Sequence, residues 1–130
     1  MQILMVIAAG LASYVFGAVW YMALAKRWMD AAGIAPDENG RPPNAGPLPY
    51  IVAFVCAVIV AGMMRHMFML AGIDTIAKGL VAGLGIGLFL VSPWLATNYV
   101  FADRKPASIW LDGGFATGGC TLIGLVLTLF

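Results

Sequence analysis

A chain of 130 residues that is 62% hydrophobic and only 10% charged is too apolar for a water-soluble domain, which would expose large hydrophobic patches and aggregate. A net charge of +1 supplies no basic face, so nucleic acid is excluded as a partner. Cys56 and Cys120 both lie inside apolar runs, and no CxxC pair or His is spaced for a metal. Both cysteines read as small hydrophobes, and no metal or other cofactor is expected.

Four apolar stretches follow one another, at about residues 3–25, 48–70, 79–101 and 108–130. Each is near the roughly 20 residues that cross hydrocarbon. Only helices and closed barrels span lipid, and these runs are continuous rather than alternating, so each predicts a transmembrane helix. The expected fold is all-α: one polytopic domain over 1–130, a four-transmembrane-helix bundle. Ala23-Leu24-Ala25 resembles a signal-peptide cleavage site. No basic residue precedes that run, however, and it is longer than a usual signal core, so the segment is read as a retained helix.

The first connection, 26–47, is the longest. Trp28 and Met29 extend the first helix into the interface, and Gly33 is its natural stop. Pro36 to Asn44 is rich in turn formers and reads as a surface loop. Asp37, Glu38 and Asn39 lack the ligand spacing of a metal loop. The second connection, 71–78, is short. The third, 102–106, is a tight turn with Pro106 suited to the first turn of the last helix. Lys26, Arg27, Arg41, Arg104 and Lys105 fall on one side of the membrane, Arg65 and Lys78 on the other. The positive-inside rule then places the first group in the cytoplasm and both termini outside.

Small residues recur four apart: Ala9, Ser13 and Gly17; Ala53, Ala57 and Ala61; Gly79, Gly83 and Gly87; Gly114 and Gly118. That spacing puts each set on one stripe of its helix, where backbones can approach closely. A chain rich in Gly and Ala also makes such ladders by chance, and the spacing leaves open whether a sister helix or a second subunit is faced. Trp20 before Lys26-Arg27 and Trp94 before Arg104-Lys105 hint at duplicated halves, but their spacings differ.

Asp112 is the one acid clearly inside a span, about 9 Å past Pro106 at 1.5 Å per residue. A charge at a helix centre costs about 2.5–3.5 kcal/mol, and less toward the edge, so Asp112 is expected to face the bundle and find a partner. Counting outward from the turn at Lys105 puts Asn98 at the same depth, with Thr97 and Tyr99 beside it. Arg104, Lys26 and Arg27 lie within reach, and Trp20, Tyr21, Trp94 and Trp110 share the layer. One reading is a shallow cytoplasmic-side binding site of Trp20, Tyr21, Asn98, Arg104 and Asp112 for a lipid headgroup, a small ligand or a proton. The other, which is favoured, is an aromatic belt plus one structural contact of Asp112 to Asn98 or a basic residue. His66, alone beside Arg65 at the far end of the second helix, reads as a headgroup neighbour. Ser13, Ser92, Thr117 and Thr121 can bond their own helices. No catalytic set forms, because His66 and Asp112 lie on opposite sides.

Gly17-Ala18-Val19-Trp20-Tyr21, then Lys26-Arg27-Trp28-Met29 and Gly33, resembles the opening of a bacterial integral membrane family, domain of unknown function 1761. Phe101-Ala102-Asp103-Arg104-Lys105-Pro106, with Trp110, Asp112, Gly113, Gly114 and Phe115, resembles its closing hairpin. The resemblance spans nearly the whole chain and implies a compact four-helix inner-membrane protein, with no activity attached. The middle of the chain is generic.

The leading expectation is a non-enzymatic membrane protein that acts through membrane lipids, a second copy of itself or another membrane protein. The alternative is a small homodimeric transporter or channel built around Asp112. Small multidrug-type exporters have this size but use an acid in the first helix, and none stands between Gln2 and Ala25. A lipid-acting enzyme comes third, because one His and one deep carboxylate are a thin inventory. A reporter fused after Phe130 that works only in the periplasm is expected to be active. Activity from a cytoplasm-only reporter at that site would invert the topology.

Overall fold

The computed structural model describes residues 1–42 and 46–130, and its regular elements are all helical. Pro43 and Asn44, at the end of the expected surface loop, lie outside the described residues. Four helices are long and apolar enough to cross a bilayer: Gln2–Ala23, Pro47–Ala71, Ile76–Phe101 and Pro106–Leu127. With no water in hydrocarbon to satisfy backbone groups, runs of this composition close their hydrogen bonds internally.

The first span, α1 (Gln2–Ala23), stops before Lys26. Leu24, at φ −110° and ψ 20°, breaks the rod, and a separate two-turn helix, α2 (Ala25–Ala32), follows. Trp28 and Met29 therefore belong to this second helix rather than to an extension of the first. Gly33 ends α2 at φ 69°, a left-handed position that glycine takes without steric penalty. The expected 26–47 loop thus begins as helix. The second span, α3 (Pro47–Ala71), starts on a proline and ends at Gly72.

The third span is three segments in one rod: α4 (Ile76–Gly85), a π-turn (Ile86–Val91) and α5 (Ser92–Phe101). Thr75 caps α4, its Oγ1 accepting the Lys78 backbone N–H at 3.3 Å. Lys78 Nζ also donates to Asp74 Oδ1 at 2.8 Å, which holds the Asp74 carboxyl below the usual carboxylate range. The last helix, α6 (Pro106–Leu127), starts two residues earlier and ends three residues sooner than its apolar run.

In space α6 is the hub. It packs against α1 on one side and against α4, the π-turn and α5 on the other, whereas α3 packs chiefly on α1. The contact with α4 and the π-turn is backbone on backbone. A Cβ on Gly79 would overlap the Gly124 carbonyl oxygen, one on Gly83 the Cys120 carbonyl oxygen, and one on Gly87 the Thr117 Cα. Gly114 and Gly118 face α1 instead, and a Cβ there would stand 2.7 Å from Trp20 Cζ2 or 2.5 Å from Phe16 Cζ. The small-residue stripes thus make two different kinds of contact: backbone to backbone with α4 and the π-turn, and backbone to aromatic ring with α1.

The buried apolar cluster is small: Ala9, Ala61, Met64, Phe68, Cys120, Ile123 and Leu127. It gathers where the start of α1 meets the ends of α3 and α6. The outward faces carry exposed Val, Leu, Ile and Phe side chains, as they do when lipid is the outer solvent.

Gly83→Ala is expected to destabilise the fold by about 1–3 kcal/mol through overpacking against the α6 backbone. Gly85→Ala, where an added Cβ meets nothing within 4 Å, is expected to change stability little. Melting curves of both variants in detergent check this, and equal losses would show that close approach is not what Gly83 provides.

Candidate functional site

The polar centre of the protein lies toward the α2 end and is built from three helices. Asp112, half-buried on the second turn of α6, turns inward. Its Oδ1 accepts the Tyr21 hydroxyl from α1 at 2.6 Å, and its Oδ2 accepts the Tyr99 hydroxyl from α5 at 2.5 Å. These lengths are those of charge-assisted O–H···O⁻ bonds. Each carboxylate oxygen is engaged by a different neighbouring helix, so the one side chain ties α1, α5 and α6 together.

Aromatic rings wall this clamp. Tyr21 meets the Phe115 ring at 5.3 Å and the Trp28 ring at 6.1 Å between centroids, while Phe16 stacks on Phe115 at 6.3 Å. The Phe115 ring lies over Gly17, where a Cβ would stand 2.6 Å from Cε1. Trp20 Nε1 donates to the Leu111 carbonyl at 3.0 Å, one residue before the aspartate. Arg104 lies over the Tyr99 ring at 4.2 Å, a cation–π contact that keeps a positive charge one ring away from the carboxylate.

Below the clamp, α2 is fastened across the start of α6. Ser108 Oγ donates to the Ala31 carbonyl at 2.9 Å, and Lys105 Nζ donates to the Asp30 carbonyl at 2.9 Å. Lys105 thereby supplies a cation to the C-terminal end of α2, where carbonyls are left unpaired.

Of the sequence-stipulated residues, Tyr21 and Asp112 bond directly, Trp20 braces the same turn, and Arg104 acts through Tyr99. Asn98 does not join them. It is exposed, and the expected Asp112–Asn98 contact is replaced by Asp112–Tyr99. No direct bond joins Asp112 to Arg104, Lys26 or Arg27 among the described residues, and Lys26 and Arg27 are exposed. Trp94 and Trp110 share the depth but point outward.

The π-turn explains the error at Asn98. Eleven residues complete three turns of regular α-helix to within about 20°, so Asn98 would lie directly below Gly87 on the α6-facing stripe. The π-turn inserts one extra residue, and Tyr99 takes that place. The same insertion turns Ser92 onto α6. Its Oγ donates to the Gly87 carbonyl at 2.7 Å and approaches Gly113 O at 3.3 Å and Thr117 Oγ1 at 3.4 Å. Ser92 thus reaches across to α6 as well as back into its own helix. Depth was legible from chain counting; the rotation that selects Tyr99 depends on the insertion, which residue spacing does not show.

Four membrane-length helices, three of them joined at a carboxylate clamped by tyrosines, define a small polytopic membrane protein. Residues 4–128 match the family described as "Protein of unknown function (DUF1761)", and the chain belongs to that family. No curated protein and no solved structure matches it.

Tyr21→Phe and Tyr99→Phe are each expected to cost about 1.5–3 kcal/mol, the usual worth of a hydrogen bond to a charged group. Because both donate to one carboxylate, their effects are expected to couple. Thermal unfolding of the two single variants and the double variant in detergent checks both points. Unchanged melting temperatures would show that the clamp does not hold the helices.

Proposed function

We propose that the protein works without chemistry of its own, as a membrane-embedded protein that acts through contacts with lipids or other membrane proteins. The observation that carries this reading is the engagement of both Asp112 oxygens by tyrosine hydroxyls from two other helices. The one acid deep in a span is thereby committed to cohesion of the bundle. A selective cation site normally gathers several free oxygens, and here the two best candidates are already accepting bonds. Among the described residues, no three of the His, Cys, Asp or Glu side chains gather as a metal would need.

The surface fits the same reading. Leu48, Ile51, Val55, Ile59 and Met63 form an exposed stripe along α3, on the side away from buried Ala61, Met64 and Phe68. Spacings of three and four residues keep the stripe on one face, which suits lipid chains or an apolar partner helix. An inner-membrane location with both termini outside belongs to this proposal.

A second reading, a small homodimeric transporter or channel, draws support from the π-turn, since such turns recur at functional sites. One variant separates the two. Asp112→Asn keeps one carbonyl acceptor for a tyrosine and is expected to fold, with a stability loss of about 1–3 kcal/mol. In proteoliposomes reporting internal pH with a trapped dye, wild type and variant are expected to give the same proton flux as empty vesicles. Proton uptake by the wild type that disappears in Asp112→Asn would sink the non-transporting reading.

A further inference from the structure

Arg65 lies at the end of the bundle remote from Asp112. It sits six residues before Ala71, the last residue of α3, or about 9 Å inside the helix end at 1.5 Å per residue. The residue is half-buried, and its Nε is shielded from solvent with no hydrogen-bond partner among the described residues. Arginine stays charged in proteins and has only donors to offer, so a shielded guanidinium nitrogen calls for an acceptor.

Two cavities open onto this one side chain. The first, about 300 Å³, lies where the end of α3 meets the end of α6, with Phe68, Ile73, Asp74, Leu127 and Thr128 in its wall. The second, about 410 Å³, lies between α1 and α3, with Ile3, Ile7, Val58 and His66 around it. The acid in the first wall is already engaged, because Asp74 Oδ1 holds Lys78 Nζ at 2.8 Å. Lys78 also donates to the Gly72 carbonyl at 3.2 Å, so this local ion pair is closed on itself. The second cavity runs into exposed apolar side chains, Ile3, Ile7 and Met69, on the outer surface of the bundle.

We propose that Arg65 anchors a binding site for the phosphate of an anionic phospholipid, whose acyl chains lie along the groove between α1 and α3. The proposal deepens the lipid-contact reading above and rests on it. A guanidinium offers parallel N–H donors that match two phosphate oxygens, and a phosphate would give the shielded arginine the acceptors that the protein withholds. His66, the neighbouring residue, adds a further nitrogen at the rim of the second cavity. The apolar walls distinguish a lipid from free phosphate: a bare ion has no use for Ile3, Ile7 and Val58, whereas acyl chains do.

The test uses the full chain in detergent, native mass spectrometry and an equimolar mixture of palmitoyl-oleoyl phosphatidylglycerol and phosphatidylcholine. Wild type is expected to retain phosphatidylglycerol in preference. Arg65→Met is expected to lose about tenfold in that retention, the equivalent of one charge-assisted contact, with Arg65→Lys in between. Arg41→Met, a charge removal on the exposed connection before α3, is expected to leave it unchanged. Equal retention by wild type and Arg65→Met would overturn the site. So would wild type retaining both lipids equally, a readout that needs no variant to fold. Inorganic phosphate raising the melting temperature of wild type but not of Arg65→Lys, with no lipid preference, would assign the arginine to a free anion and overturn the lipid proposal. Absence of any lipid preference in wild type, with proton flux also absent in wild type and Asp112→Asn, would sink this site alone and leave the non-transporting reading standing.

Discussion

The backbone contact of α6 with α4 and the π-turn is the constraint from which most of the architecture follows. Lipid tails are as apolar as leucine, so membrane helices gain little by hiding hydrophobic side chains from them. They cohere by packing and polar contacts, and dispersion attraction falls steeply as atoms separate. Gly79, Gly83 and Gly87 remove the side chains that would hold the two backbones apart, and Gly124 does the same from α6. The last helix is then fixed closely against the third span along most of its length. Its opposite side is left to meet α1, where the bulk is supplied by Phe16, Trp20 and Phe115 rather than by backbone.

Close approach on one side and aromatic packing on the other set the stage for the aspartate. Once α1 and α5 are both held against α6, their tyrosine hydroxyls arrive at the two oxygens of a single carboxylate. A lone charge at this depth would be unfavourable to insert, but one that accepts two short hydrogen bonds from separate helices becomes a three-way tie. Removing Asp112 would leave two half-buried phenols without their acceptor. Removing one phenol would leave part of a carboxylate unsatisfied. Polar groups in a low-dielectric interior act as a unit, and their worth is that of the network rather than of each bond.

The two ends of the bundle differ in kind. Toward α2 several polar groups are paired: Tyr21 and Tyr99 with Asp112, Lys105 with Asp30, Ser108 with Ala31 and Arg104 with the Tyr99 ring. At the other end Arg65 keeps a shielded nitrogen without a partner beside two cavities. At the first end the half-buried carboxylate is engaged by the protein's own residues, whereas at the second the shielded arginine nitrogen is not. The peripheral position of α3, which rests mainly on α1, places Arg65 beside the seam between those two helices.

Hydropathy and length alone determined the number of spans, their order and their approximate limits, because hydrocarbon admits only segments that close their own backbone hydrogen bonds and are about 20 residues long. Sequence also located Asp112 at a depth where a partner was required, and the layer in which Trp20 and Tyr21 stand, since distance along a helix is a count of residues. It did not determine rotation. A regular helix directs Asn98 toward α6; the π-turn before Pro93 adds one residue and directs Tyr99 there instead, a local change with little signature in composition. Nor did spacing tell which glycines would meet a backbone and which a ring, or that Leu24 would break the first rod and free α2 to lie across the start of α6. Partners across a helix interface depend on the azimuth of both helices at once, and only tertiary packing decides that.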